Sequence, residues 1–299
     1  MTQDFVRIRS RWTSRLEAGE SPSSGEVREH LLQVHRHYPG FTESCAVRCR
    51  DDQGRNSYEW LADLVDPSAH PSVLDLACGS GVLGALCLES SEVRSLVAVD
   101  MSADELELAQ RRIQDERAVF RRALAQDLGF LRADAVNAVL CHWALTLMEP
   151  VEPVLSEVGR VLKPGGIFGA IVDGPKESAV GYQELNDLIF RHVIAECPGY
   201  AAMDLGDPRI RNAEELTQLA RQHFPGAEVT VEPGVVALTD TPSALAEEAV
   251  QFFYASFVLS VSAHAKLLAE VTAFFEARSV DGRARFEMPI HRLVVTAEA

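Results

Sequence analysis

The chain has 299 residues, 47% apolar and 24% charged, a balance that suits a soluble globular protein with a sizeable core. Its net charge of −16 excludes the basic surface that a nucleic-acid partner needs. The longest apolar run, residues 252–263, is too short and too interrupted to span a bilayer, and the start of the chain lacks the apolar stretch of a signal peptide. Cys45, Cys49, Cys78, Cys87, Cys141 and Cys197 form no C-x-x-C pair and no metal-ligand spacing, so a cytoplasmic, metal-free protein is expected. The basic residues Arg7, Arg9, Arg11 and Arg15 read as a solvated helix face.

Residues 1–70 show no strand alternation. Helices are predicted over residues 6–16, 27–38 and 56–65, separated by a turn-rich stretch at 19–25 and a break at 39–42. Residues 73–76 then read as a buried parallel strand around one carboxylate, Asp75. Gly79, Gly81 and Gly84 follow at G-x-G-x-x-G spacing, and residues 82–88 form an apolar helical run. Strand, glycine turn and helix make the nucleotide-binding corner of a doubly wound α/β fold. Gly79 and Gly81 would let backbone approach a ligand, and Gly84 would let the helix lie close to the sheet.

A second strand at 95–100 ends in Asp100, 19 residues beyond Gly81, where an acid that grips a ribose diol is expected. Met101 follows and could pack on an adenine face. Ser102 begins a helix over 103–116, with Glu105 placed to complete a capping box; the alternative role for Asp100 is to cap that helix. Further strands are predicted at 118–122, 135–140 and 167–172, with a helix from 154 stopped by Pro164-Gly165-Gly166. Residues 173–212 interrupt the alternation with a helix at 182–195. A helix at 213–223 and a strand at 227–231, resuming at 235, lead into a long helical stretch over 242–278. There Phe252, Phe253, Tyr254 and Phe257 are expected in the core, and residues 285–297 form an antiparallel edge strand.

Three segments carry a resemblance. Asp75-Leu76-Ala77-Cys78-Gly79-Ser80-Gly81 resembles the first motif of the class I S-adenosylmethionine-dependent methyltransferases, in which an acid precedes the glycine turn. Such an acid repels a phosphate and suits a ligand bearing an ammonium and a sulfonium. Asp127-Leu128-Gly129-Phe130 is similar to the family's D-L-P-F segment, with Gly129 where proline is common. Leu155 to Gly166 is similar to its L-x-E-x-x-R-V-L-K-P-G-G segment. The resemblance, strongest over 60–172, implies a seven-stranded, mostly parallel Rossmann-like sheet. Residues 1–70 would be an N-terminal helical lid, and residues 71–299 the cofactor-binding domain, with 173–212 and 242–280 as helical cap segments. It further implies that S-adenosylmethionine is held by Asp75, Ala77, Gly79, Gly81, Asp100, Met101, Gln126, Asp127, Leu128, Cys141 and His142.

The implied reaction is in-line methyl transfer to a small-molecule acceptor, free or carrier-bound, at a hydroxyl of a secondary metabolite or polyketide-type compound. An oxygen nucleophile needs a base, and His142, beside the expected methyl position, leads His37 and His192. His35 is a further alternative, and Glu43 could orient such a base. No Asn/Asp-Pro-Pro-Tyr/Phe sequence follows the fourth strand, which argues against base or amide methylation, and no Asp/Asn cluster offers a magnesium site. The competing readings are N- or C-methylation, an NAD-dependent oxidoreductase built on the same glycines, and a module that binds the cofactor without turnover. Asp75, the Lys163-Pro164-Gly165-Gly166 segment and the lack of a Tyr-x-x-x-Lys pair speak against the oxidoreductase.

Overall fold

A computed structural model describes residues 5–203 and 205–298; the start of the chain that bears on a signal peptide lies outside them. Four helices come first: α1 (Arg11–Glu17), α2 (Ser24–His37), α3 (Phe41–Arg48) and α4 (Ser57–Ala62). Helix α1 is shorter than predicted because the preceding segment runs extended, with the Ile8 N–H donating to the Phe257 carbonyl at 2.9 Å. The break expected at 39–42 does follow α2, but an unanticipated helix, α3, begins already at Phe41. Gly40, at φ +72, ends one helix and starts the next within a few residues. Helices α2 and α4 each begin with a capping box, on Ser23 with Glu26 and on Asn56 with Glu59.

The sheet consists of β1 (Ser72–Leu76), β2 (Ser95–Asp100), β3 (Ala118–Arg122), β4 (Val136–His142), β5 (Leu162–Asp173), β6 (Glu228–Asp240) and β7 (Ala284–Thr296). Its order is β3-β2-β1-β4-β5-β7-β6. The first five strands pair in parallel, and β7 runs antiparallel to both β5 and β6. The last strand is therefore not at the edge, as expected, but inserted beside β5. Residues on both of its faces are buried, from Phe286, Met288 and Ile290 to Leu293 and Val295. The edge belongs to β6, continuous through Pro233, whose missing N–H costs nothing on an unpaired side.

Connecting helices α5 (Val82–Cys87), α6 (Ala103–Arg112), α7 (Glu152–Val161) and α9 (Ala213–His223) cover both faces of the sheet. Period-two alternation sorts the strand residues between two cores. Val73, Leu96, Leu140 and Ile171 face one side, with α5, α8 (Tyr182–Glu196), α10 (Pro242–Phe252) and α11 (Val261–Glu276). Leu74, Val99, Cys141 and Phe168 face the other, with α7 and α9. The long helical stretch is in fact α10 and α11 joined by a 3-10 turn, Tyr254–Val258. Across the top, α2 rests on α6, α3 on α10, and α8 on α11.

Candidate functional site

The carboxyl ends of β1, β2 and β4 open into a cavity of about 370 Å³, the place where open α/β sheets bind ligands. Asp75 is 1% exposed, and its Oδ2 accepts the Gly84 N–H at 2.9 Å. Burial pushes its carboxyl up to about 7. The turn after β1 runs through left-handed backbone at Ala77 (φ 56) and Gly79 (φ 50). A Cβ on Gly79 would meet nothing nearer than Glu105 Oε2 at 3.9 Å, so this peptide lies open to the cavity. Gly81 serves differently. A Cβ there would stand 2.9 Å from the Ala109 Cβ, so its hydrogen is what lets α5 begin against α6.

Both carboxylate oxygens of Asp100 accept backbone N–H groups. Its Oδ2 accepts the Gly79 N–H at 2.9 Å, and its Oδ1 accepts the Ser102 N–H at 2.8 Å. Burial raises its pKa against the hydrogen bonds that lower it. Because Asp100 already occupies the Ser102 N–H, the capping box expected from Glu105 does not form. The Glu105 carboxylate instead receives His35 Nδ1–H at 2.7 Å and the Gly40 N–H at 2.8 Å, both on its Oε1. Glu43 is likewise engaged elsewhere than on a base, binding Ser80 in the glycine turn and Arg112 on α6.

Beyond the carboxylates the cavity turns aromatic. His142, the last residue of β4, holds Ser57 Oγ with its Nε2 at 2.8 Å and stacks on Tyr58 at 3.6 Å between centroids. Burial drives its pKa down to about 3, so the imidazole is neutral. Trp143 sits at φ 62, a conformation that bulky residues rarely take, and its Nε1 donates to Asp173 Oδ1 at 2.7 Å. Its ring meets Phe252 edge-on. Phe252 and Tyr254, expected in the core, line the cavity; Phe253 belongs to the core and also lines it, and Phe257 is buried among Ile8 and Val34.

Of the residues singled out in the sequence, Asp75, Ala77, Gly79, Asp100, Met101, Gln126 and His142 line this cavity together. Gly81 lies behind the turn, and Asp127 is exposed one residue past Gln126. Leu128 and Cys141 are fully buried in the core of the opposite sheet face. His37 is exposed on α2, donating from Nδ1 to the Gln33 carbonyl at 2.8 Å. His192 reaches Glu270 on α11 with its Nε2 at 3.2 Å, away from the lining. Tyr58, Glu105 and Trp143 were not anticipated. Tyr58 and Trp143 carried no signal beyond aromatic content, and Glu105 was hidden by its fit to a capping pattern. Among the described residues no cluster of His, Cys, Asp or Glu is arranged to hold a metal, and all six cysteines are buried and unbonded. No helix among the described residues is long and apolar enough to cross a membrane.

Residues 74–170, the span that builds the carboxylate end of the cavity, match the family model described as "Methyltransferase domain", Methyltransf_11. The chain carries a class I S-adenosylmethionine-dependent methyltransferase domain. It is similar to a demethylmenaquinone methyltransferase of Leptospira interrogans, at 32% identity over 158 residues, covering 48% of this chain and 59% of that one. A ubiquinone/menaquinone biosynthesis C-methyltransferase of Desulfotalea psychrophila is 29% identical over 168 residues, covering 54% and 68%. The chain thus spans less than two thirds of the length of the Leptospira relative. Among solved structures, the (4+2)-cyclase SpnF superposes with a TM-score of 0.54 at 20% identity, covering 93% of this chain and 98% of that one; this likeness concerns the fold alone.

The cofactor of this methyltransferase domain is S-adenosylmethionine, and the carboxylate end of the cavity fits it. The bare Gly79 peptide leaves room for close approach. Asp75 and Asp100 present buried acids to a ligand with two cationic centres and a ribose diol. Glu105 Oε2, buried without a hydrogen-bond partner, is a third acceptor waiting for a donor.

Proposed function

We propose that the protein transfers a methyl group to a hydroxyl oxygen of a small, largely apolar acceptor, and that His142 takes the acceptor's proton. The observation that carries this reading is the position of His142. It stands at the strand end between the carboxylates that suit the cofactor and the aromatic half of the cavity that suits an acceptor. S-adenosylmethionine supplies an electrophilic methyl on sulfur. The protein's part is to align oxygen and methyl and to keep water out, with α1–α4 and the segments at 173–212 and 242–280 as lid and cap. A base as weak as His142 suffices, because a hydroxyl becomes strongly acidic as its oxygen forms the new bond to carbon. The O–C bond forms, the S–C bond breaks, and the proton passes to the imidazole whose other side is fixed by Ser57.

The activities for which the relatives are named favour a second reading, methylation of a ring carbon in a quinol-type acceptor. One experiment separates the two. The protein is incubated with S-adenosylmethionine carrying a ¹³C methyl and a panel of phenols, hydroxylated polyketides and hydroquinones, and the carbon shift of the transferred methyl distinguishes O–CH₃ from C–CH₃. His142→Ala should lower turnover about 100-fold or more with cofactor affinity held within about threefold. A labelled carbon attached to ring carbon would overturn O-methylation. Binding of NAD in place of S-adenosylmethionine would overturn the methyltransferase reading itself.

A further inference from the structure

A chain of three side chains crosses from the cap to the cofactor end of the cavity. Tyr254, in the turn between α10 and α11, lies with its Oη 2.9 Å from His35 Nε2 on α2. His35 Nδ1 lies 2.7 Å from Glu105 Oε1 on α6. A carboxylate only accepts, so Nδ1 is the donor to Glu105, and on a neutral ring Nε2 accepts from the Tyr254 hydroxyl. Glu105 is 2% exposed, and its Oε1 also accepts the Gly40 N–H at 2.8 Å, from the junction of α2 and α3. Two groups of the cap, the His35 ring and the Gly40 N–H, therefore hold one carboxylate oxygen, and Tyr254 backs the first of them.

The other oxygen has nothing. Glu105 Oε2 is buried without a partner, and it is the nearest atom, at 3.9 Å, to the point where a Gly79 side chain would begin. Asp100 Oδ2 holds the N–H of that same Gly79 at 2.9 Å. Two carboxylates thus flank one bare peptide at the cavity wall. An unpaired buried carboxylate oxygen is costly, and the cost is removed when a ligand brings it a donor.

We propose that Glu105 is a second carboxylate of the cofactor site. It accepts a hydrogen bond from one ribose hydroxyl while Asp100 accepts from the other, and His35 and Tyr254 are positioning residues that hold it there from the cap. The inference rests on the cofactor reading above and adds to it a coupling. Filling the cofactor site satisfies Glu105 Oε2, and Glu105 Oε1 is the anchor of α2 and of the Tyr254 turn, so occupancy and cap closure stabilise one another. The side chains doing this lie 70 and 219 residues apart in sequence across the two links.

The test is calorimetric titration of the full-length protein with S-adenosylhomocysteine and with its 2′- and 3′-deoxy analogues, with thermal melting as a folding control. Glu105→Gln keeps the shape and an acceptor for Gly40. It should weaken S-adenosylhomocysteine binding about ten- to a hundredfold and one deoxy analogue by less than about threefold. Tyr254→Phe and His35→Gln should each weaken it about three- to tenfold. In hydrogen exchange, S-adenosylhomocysteine should protect α2 amides in the wild type and much less in Glu105→Gln. Equal weakening for all three ligands, wild-type affinity in Glu105→Gln, or unchanged α2 protection would overturn the inference and leave the methyltransferase reading standing. Failure of the wild type to bind S-adenosylhomocysteine at all would remove both.

Discussion

The two halves of the cavity are built in opposite ways. The cofactor half is made by turns at the ends of β1 and β2. There Asp75 fixes the N–H of Gly84 and Asp100 that of Gly79 in the neighbouring turn, and Gly79 and Ala77 shape the wall with their own dihedrals. The acceptor half is made by side chains from four distant stretches: Tyr58 from α4, Trp143 after β4, Phe190 from α8, and Phe252 to Tyr254 from α10 and its following turn. The first half holds buried acids, and the second holds a half-buried neutral histidine among aromatic rings. A site for an invariant ligand can be written in local backbone, whereas a site for a variable one is assembled from loops and caps over a fixed scaffold.

The largest expected effect exploits that contrast through pH. Asp75 is shifted from 3.8 to about 7, so the folded state favours its protonated form. Its contribution is fully present below pH 3.8 and is lost as pH rises through about 7. His142 is shifted from 6.5 to about 3, so its contribution is present above pH 6.5 and is lost as pH falls toward 3. Each slope is worth up to about 4 kcal/mol. In urea unfolding from pH 4 to pH 8, Asp75→Asn should flatten the alkaline side only, and His142→Asn the acid side only. A flattening of both sides by either change would mean that the two halves titrate as one coupled site.

Next in size are two glycines. Gly81→Ala drives a Cβ to 2.9 Å from the Ala109 Cβ at φ +81 and should cost about 3 kcal/mol in unfolding free energy. Gly40→Ala, at φ +72 with Leu108 Cδ1 at 3.2 Å and Glu43 Oε2 at 3.8 Å, should cost about 1 kcal/mol. Equal losses would show that the cap junction is packed as tightly as the sheet. The smallest effect is on the acceptor side. Trp143→Phe removes the N–H that binds Asp173 and should cost about 1 kcal/mol of stability with S-adenosylhomocysteine affinity unchanged in titration. A matching loss of cofactor affinity would join the halves that the structure separates.

Much of the first half was legible in the chain. A buried apolar strand, an acid at its end and a glycine turn specify one another over a dozen residues, and the bond from Asp75 to the Gly84 N–H closes within them. Asp75, Gly79 and Asp100 could be placed from spacing alone. Gly81 and Glu105 were misread for instructive reasons. The first serves the contact of two helices, and the second lost its capping partner to Asp100, which had reached Ser102 first.

By itself, then, the sequence determined the alternation of strands and helices, the turn that opens the cofactor half and the acid that ends β2. Their physics is local periodicity and backbone conformation. Tertiary structure alone decided that β7 slots inside β6, that His142 rather than His37 or His192 reaches the cavity, and that Tyr254, His35 and Glu105 meet. Those outcomes depend on contacts between segments far apart in the chain, and helical or strand periodicity says which face is buried but not against what.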